Sequence, residues 1–555
     1  MKIVPEKFKL NLNFNHQKKS KIGKITKCSV DWVLLALLIA AFVVRILWIG
    51  DYFGQDEVYY AGYAHDLITG RPFNSVFPPG FYYFLAPFEL VFGDSELPMH
   101  IFMVLLGTLN VALVYLIGKK FINRWVGAVA ALLLTFNTTH WFFSDFAMLD
   151  MPVTLFITLA IYFYWNGYQT KNYMHLLLAA LVCSLAALTK YGFFPAVAMG
   201  AYLLFFDRKW LRDRRMLVAL ALPVVVFGIY MLHYIFVTSW LWNWWSNYIV
   251  GGLSINLPWF YYFMWTYEEF LLAIPTLFVL IAAGFLLVKK FVAKKSKFAK
   301  YENVASYMVL AVAAAVIYII IFSKMIGTSP YERAIIGLLA LALLCANYFF
   351  KNENKFNKLA IFFIVIMLGF YSVLGLKFAR YVLPVLPFVY LLVGQVVYDI
   401  RKNKLWLAAA VLVIILFIVL NASDTITKLQ TDNMINHVKH AAQQYVIDNS
   451  QQCSEVYSST WYSFYYLRTR IADQPSVSAI KNAVSSRCSC PPKFILSEGG
   501  LTGYDEVLVR EKEFKDSIKV WKFDLDGVRE HSIATTVVVV YKIKDSVVVE
   551  QCGKV

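Results

Sequence analysis

The chain has 555 residues, of which 59% are hydrophobic, 17% aromatic and only 16% charged, with a formal net charge of +17. That balance lies outside the range of water-soluble globular domains and is the composition of a polytopic membrane protein. A nucleic-acid partner is disfavoured, because the basic residues sit in short clusters between apolar runs and form no basic, aromatic stripe.

Apolar runs of about 17 to 23 residues, each long enough to cross a roughly 30 Å hydrocarbon core as a helix, recur as far as Leu420. A basic leader, residues 1–30, carries Lys18, Lys19, Lys21, Lys24 and Lys27. The first run, residues 31–50, is longer than a signal-peptide core and reads as an uncleaved span. Further spans are expected near residues 99–118, 124–142, 151–166, 174–189, 192–206, 216–238, 270–289, 305–323, 334–350, 358–376, 381–398 and 405–421, about thirteen in all. The basic clusters at 119–124, 208–215, 289–300, 351–358 and 401–404 share one side with the leader. By the positive-inside rule that side is cytoplasmic, as expected for a multi-pass protein of the cell membrane.

Two outward segments, 51–98 and 239–269, are too long to be simple turns, and long loops on one face usually carry function. In the first, Val58, Ala61, Ala64, Leu67 and Ile68 share one side of a 3.6-residue helix, with Tyr59, Tyr63 and Asp66 opposite and Gly70 placed to end it. It reads as an amphipathic helix at the membrane surface. The next stretch, FPPGFYYFLAPFELVFG, is apolar but broken by Pro78, Pro79, Gly80 and Pro87, and reads as a second interfacial element. The other long loop is crowded with Trp and Tyr, which favour the headgroup layer. From residue 422 the composition becomes that of a small soluble α/β domain, with a helical stretch around 434–447 and strand-like runs at 493–496, 520–523 and 535–543. An odd number of spans puts this domain outside the cytoplasm. It holds Cys453, Cys488, Cys490 and Cys552, so a disulfide is open there, with the pairing undetermined; the spacing does not suit structural zinc.

Acids and bases gather at the outward ends of spans, where neither topology nor packing requires them. The acids are Asp56 and Glu57, in GQDEVYYAGYAHDLITG, and Asp145 and Asp150, in HWFFSDFAMLDMP. Helix capping by Asp56 and Asp150, with Glu57 in a first helical turn, explains them about equally well. The cations are Lys190, Lys324, Arg333, Lys377 and Arg380, with Arg45 inside the outer half of the first span. Snorkelling to lipid phosphate is the ordinary explanation for any one of them. Five together beside carboxylates point to a site for an anionic headgroup. A carboxylate beside a bound phosphate ester suits group transfer: the acid takes a proton from an attacking hydroxyl while cations stabilise the leaving phosphate.

These residues resemble the lipid-phosphate-sugar-dependent glycosyltransferases of the GT-C superfamily, in the branch of protein O-mannosyltransferases and lipid A aminoarabinose transferases. The likeness covers residues 31 to about 420 and rests on DEVYYAGYAHDLITG, PPGFYYF, AMLDMPVTLFITLAIYFYW, LTKYGFF and ARYVLPVLPFVYLL, in that order. It implies inverting transfer of a sugar from a polyprenyl-phosphate donor to an acceptor hydroxyl (protein, lipid or glycan) at the extracytoplasmic face. Asp56 is then the general base, Glu57 and Asp150 are supporting acids, and Lys190, Arg380 and Tyr381 are donor-phosphate contacts. Phe77 stands where aminoarabinose transferases have a lysine before the paired prolines, so Lys377 or Arg71 is expected to complete the phosphate grip. Tyr59, Tyr82, Asp145, Lys324 and Arg333 are further pocket candidates. If a divalent metal binds, its ligands would come from Asp56, Glu57, Asp145 and Asp150.

Two rivals remain. A lipid-linked-headgroup flippase would use the same cations, but the chain lacks an inverted repeat and the span centres carry few ionisable groups, His233 being the clearest. An oligosaccharide transferase is disfavoured by the absence of a WWD-type acceptor motif. The sequons at Asn137 and Asn421 lie too near the membrane to be convincing modification sites.

Overall fold

The computed structural model describes residues 31–54, 56–70, 78–93, 95–238, 354–373, 379–449, 457–458, 477–486, 488–489, 492–498, 504–523 and 529–553. The expected spans at 270–289, 305–323 and 334–350, the loop 239–269, and Arg71, Phe77, Lys324, Arg333, Lys377, Cys453 and Cys490 lie outside these residues, as does the His233 side chain.

The membrane part begins with α1 (Trp32–Ile46), α2 (Glu57–Thr69), α3 (Gly80–Phe92) and α4 (Leu97–Phe121). It continues with α5 (Arg124–Thr135), α6 (Thr138–Phe142), α7 (Asp150–Thr170), α8 (Tyr173–Lys190), α9 (Phe194–Phe206) and α10 (Arg214–Thr238). After the intervening segment come α11 (Lys355–Val373), a 3-10 turn (Ala379–Val385), α12 (Leu386–Ile400) and α13 (Lys404–Asn449). One apolar core runs from Leu37 in α1 to Leu429 in α13, while Leu105, Leu109, Leu181, Ile229 and Val419 point outward, as lipid-facing residues do. Among the described residues five helices are long and apolar enough to cross a membrane, and α1, α3, α5 and α9 are shorter apolar helices.

The expected amphipathic helix is α2: Val58, Ala61 and Ala64 are buried, and Gly70 ends it in the left-handed conformation at φ 70°. The following interfacial element is α3, with Pro87 inside it. Two boundaries need correction. The span expected over 124–142 stops at Thr135, because Asn137 accepts a bond from the His140 backbone at 2.8 Å and starts the separate short helix α6. The tail helix expected around 434–447 is not separate either. It is the second half of the 46-residue α13, which passes through residue 422 without interruption. No Gly or Pro stands in that stretch to stop a helix, and Lys428 pairs with Asp424 one turn back at 2.9 Å.

Beyond the bundle, β1 (Tyr457–Ser458), β2 (Phe494–Glu498), β3 (Leu508–Phe523) and β4 (Arg529–Ile543) form a sheet in the order β1-β2-β4-β3. The β1–β2 pair is parallel and the others are antiparallel. Val438, Ala442 and Val446, spaced four residues apart on α13, pack on Phe494, Leu496, Val538 and Val540 of this sheet. The helices α14 (Val477–Ser485) and α15 (Asp545–Cys552) cover the other face through Ile480, Val484 and Val547. Cys488 is bonded to Cys552, closing a loop of 64 residues.

Opposite ends of the bundle have different chemistry. At one end Asp31 accepts bonds from Tyr115 (2.6 Å), Lys119 (2.7 Å) and Arg124 (2.9 Å), tying the start of α1 to the α4–α5 turn. The chain past α1 meets the start of α4 at the other end, where Gly50 bonds His100. The residues singled out in the sequence collect there.

Candidate active site

Three pieces of chain build the site. The first is the segment from Gly50 to the start of α2. The second is the antiparallel hairpin of α7 and α8, which sets the first residue of α7, Asp150, beside the last residue of α8, Lys190. The third is the 3-10 turn carrying Arg380 and Tyr381. The Pro-Pro-Gly of the α3 entry positions these pieces: a Cβ on Gly80 would lie 2.7 Å from the Leu188 carbonyl oxygen, so only glycine lets α3 seat on the last turn of α8.

Asp56 stands at the α2 start but its side chain caps nothing. The carboxylate is 39% exposed, and Oδ2 accepts a 2.7 Å bond from Arg380 Nη1. Lys190, buried, donates from Nζ to Asp150 Oδ1 and lies 4.7 Å from the Tyr381 ring centroid. Asp150 does not cap α7, and its second oxygen, Oδ2, is buried with no hydrogen-bond partner among the described residues. The capping explanation for Asp56 and Asp150 therefore fails: both side chains turn to cations instead. Tyr60 and Arg380 lie within electrostatic reach of each other and of both Asp56 and Asp150. The Tyr371 ring packs tilted against Tyr381, 5.3 Å between centroids. The sequence reading missed Tyr60 and Tyr371. The former sits in the same aromatic-rich helix as Tyr59 with no distinguishing neighbour, and Tyr59 itself packs 6.4 Å from Tyr63. Tyr82 is buried 6.3 Å from Tyr60.

Glu57, directly after Asp56, has a different environment. It is fully buried and accepts three hydrogen bonds, from His100 Nε2 at 2.9 Å, the Ala147 backbone at 2.5 Å and the Gly54 backbone at 2.7 Å. His100 Nδ1 donates to the Gly50 carbonyl at 2.8 Å, an oxygen that can only accept. With both ring nitrogens donating, His100 is the cation to the Glu57 anion. His100 was also missed, although a histidine at an outward span end fits the pattern that flagged the other cations.

Asp145 lies in the turn between α6 and α7, where its two oxygens accept from Gly50 N at 3.3 and 3.2 Å. Burial pushes its carboxyl up to about 7, and nearby His100 opposes that shift. Arg45 does not join the Lys190 and Arg380 cluster. It is buried against His140 Nδ1 at 2.9 Å and its own-helix Ala41 carbonyl at 2.8 Å, because Gly107 leaves room for it beside Ser144. The sequon residues are occupied as well: Asn137 donates to Tyr390 at 2.9 Å, and Asn421 accepts from Thr138 at 3.1 Å.

The four carboxylates proposed as metal ligands are engaged separately, Asp56 by Arg380, Asp150 by Lys190, Glu57 by three N–H groups and Asp145 by Gly50. Among the described residues no three His, Cys, Asp or Glu side chains converge as a metal site would require. The site is instead a balanced set of two acids and two cations that an entering anion can rearrange.

A family model described as dolichyl-phosphate-mannose-protein mannosyltransferase matches residues 76–233, and one for the Alg9-like mannosyltransferase family matches residues 329–467. The first segment contains Asp150 and Lys190, the second Arg380 and Tyr381. Both models describe mannosyltransferase families, and together they support the GT-C likeness. Among curated relatives, a dolichyl-phosphooligosaccharide-protein glycotransferase of Pyrococcus horikoshii is 29% identical over 170 residues, 27% of this chain and 17% of that protein. A dolichyl-phosphate-mannose–protein mannosyltransferase of Candida albicans is 27% identical over 196 residues, 30% of this chain and 22% of that protein. The alignments thus span well under half the length of these relatives. The apo crystal structure of ArnT from Cupriavidus metallidurans superposes with a TM-score of 0.50 at 15% identity, covering 92% of this chain and 97% of that one. The fold is accordingly the polytopic helical architecture of GT-C membrane proteins.

Proposed function

We propose that this chain is an integral-membrane glycosyltransferase that moves one sugar from a polyprenyl-phosphate donor to an acceptor hydroxyl at the extracytoplasmic face, with inversion at the anomeric carbon. The observation that carries the reading is the paired set Asp56–Arg380 and Asp150–Lys190, with Tyr381 over the lysine, at the end of the bundle away from Lys119 and Arg124. The names of the aligned relatives, which specify dolichyl-phosphate-linked donors, support the same donor class.

In this mechanism the donor phosphate enters between Arg380 and Lys190, drawing both guanidinium and ammonium towards its oxygens. Asp56, released from Arg380 and more than a third exposed, takes the proton of the acceptor hydroxyl as that oxygen attacks C1. The new C1–O bond forms opposite the breaking C1–O bond to phosphate, whose electron pair leaves on polyprenyl phosphate, held by the two cations. Asp150, with one oxygen on Lys190 and the other without a partner among the described residues, holds the lysine in place and offers an acceptor to a sugar hydroxyl. Glu57 does not enter the chemistry; it fixes the segment that presents Asp56.

The test is transfer of label from a radiolabelled polyprenyl-phosphate monosaccharide by the purified protein. Product is expected from the wild type and none from Asp56→Asn that still elutes as a folded species. Undiminished product from Asp56→Asn removes Asp56 as the base, and headgroup movement across a proteoliposome without covalent product removes the transferase reading altogether.

A further inference from the structure

The segment before Asp56 is held on one side by the bundle: Gly50 by Asp145 and His100, Phe53 by an edge-on His100 ring at 5.4 Å, and Gly54 by Glu57. On its other side lies the outer half of α13. Asn433, Asn436, His437 and His440 follow one another at spacings of three, one and three, and so form a single stripe on the helix. That stripe covers the segment. The Tyr52 ring stacks on His440 at 4.0 Å and 18°, and meets His437 edge-on at 6.0 Å. A Cβ on Gly50 would fall 2.9 Å from Asn433 Oδ1, and one on Gly54 would fall 2.4 Å from Asn436 Nδ2 and 2.8 Å from its Oδ1. Asn436 is itself held, donating to Asp432 Oδ2 at 2.8 Å one turn back. The opposite side of the same helix, through Val438, Ala442 and Val446, is fastened to the outer sheet.

We infer that α13 is a clamp through which the outer domain sets the position of Asp56, with Asn436 and His440 as positioning residues for the transfer reaction. The outer domain contributes no residue to the transfer step itself. Its contribution is a rigid helix, anchored on a sheet, pressed against the two-glycine segment that carries the base. A misplacement of the base by about 1 Å is enough to slow a reaction by about a hundredfold, so a contact of this closeness is a means of control over turnover.

This inference rests on the assignment of Asp56 as base, and the two can be tested apart. With full-length protein and a labelled polyprenyl-phosphate monosaccharide, Gly54→Ala is expected to lower kcat by about tenfold or more, with the donor KM changing less than about threefold. Adding Asn436→Ala to Gly54→Ala removes the amide that the new methyl meets and is expected to restore most of the lost kcat. Such recovery by a second change is not produced by two independent structural defects. Gly54→Ala with wild-type kcat, or a double variant as slow as Gly54→Ala, overturns the clamp. If Gly54→Ala does not accumulate as folded protein, Tyr52→Ala and His440→Ala serve in its place. Each should lower kcat and the pair should be no slower than the worse single variant, whereas multiplying effects overturn the proposal. Asp56→Asn assayed in parallel separates the two claims: full activity there defeats the base assignment and leaves the rescue ratio to judge the clamp.

Discussion

Two adjacent acids, Asp56 and Glu57, should give opposite phenotypes when each is changed to its amide. Glu57→Gln keeps the shape of a side chain with no exposed surface and removes its charge. One amide oxygen can still accept, but the NH2 group must then face a backbone N–H, that of Gly54 or of Ala147, in place of an acceptor. A buried N–H left unpaired costs about 1 to 3 kcal/mol, and the bonds that remain fall from charge-assisted to neutral strength, losing about 1 kcal/mol each. The protonated His100 also loses its counter-charge. The sum is about 3 to 5 kcal/mol, enough to remove much of the margin of a marginally stable fold. Asp56→Asn breaks a single ion pair with a carboxylate that is more than a third exposed, and a pair of that kind is worth about 1 kcal/mol at most. Thermal unfolding in detergent, followed by size-exclusion chromatography and paired with sugar-transfer assays, separates the two. Glu57→Gln should unfold several degrees below wild type or fail to accumulate, and Asp56→Asn should unfold with the wild type while transferring no sugar. A stable, monodisperse Glu57→Gln protein that is inactive would instead make Glu57 a chemical participant.

Lys190→Met leaves Asp150 charged and buried without its partner, a change worth about 3 to 5 kcal/mol of stability, while Asp150→Leu combined with Lys190→Met should recover at least half of the lost unfolding midpoint without recovering activity. Asp145 carries a carboxyl raised to about 7 in the folded protein, so it binds its proton more tightly there than in the unfolded chain. Its contribution to stability is therefore full below the ordinary carboxylate value and is lost as pH rises through about 7. The unfolding midpoint should therefore drop as pH rises from about 4 to about 7, and Asp145→Asn should flatten that slope; an unchanged slope in the variant contradicts the assignment.

Local features were legible in the sequence because local physics sets them. The apolar spacing of Val58, Ala61 and Ala64 and the stop at Gly70 appear in α2 as read, and Pro78 and Pro79 stand just before α3, which runs on through Pro87 and stops at Gly93. The site residues could be picked out because an ion at an outward span end has no topological reason to be there. What the sequence could not supply is which acid meets which base. Asp150 and Lys190 are 40 residues apart on two helices whose register depends on packing, and Asp56 and Arg380 are 324 apart. Pattern reading also failed where composition changed without a change of structure. The switch from apolar to polar residues near Asn421 looked like a domain boundary, but nothing there breaks a helix and α13 runs on. At Asn137 the reverse occurred: a helix cap was read as a sequon inside an unbroken span. The different fates of Asp56 and Glu57 follow from His100, Ala147 and Gly54, none of which a linear motif identifies as partners of Glu57.

Sugar transfer itself is measured by supplying the purified protein with a radiolabelled polyprenyl-phosphate monosaccharide and following label joined to acceptor together with free polyprenyl phosphate released. Equal amounts of both from the wild type, and neither from folded Asp56→Asn, is the outcome expected of an inverting transferase with Asp56 as base. Product formation by Asp56→Asn at the wild-type rate would contradict it.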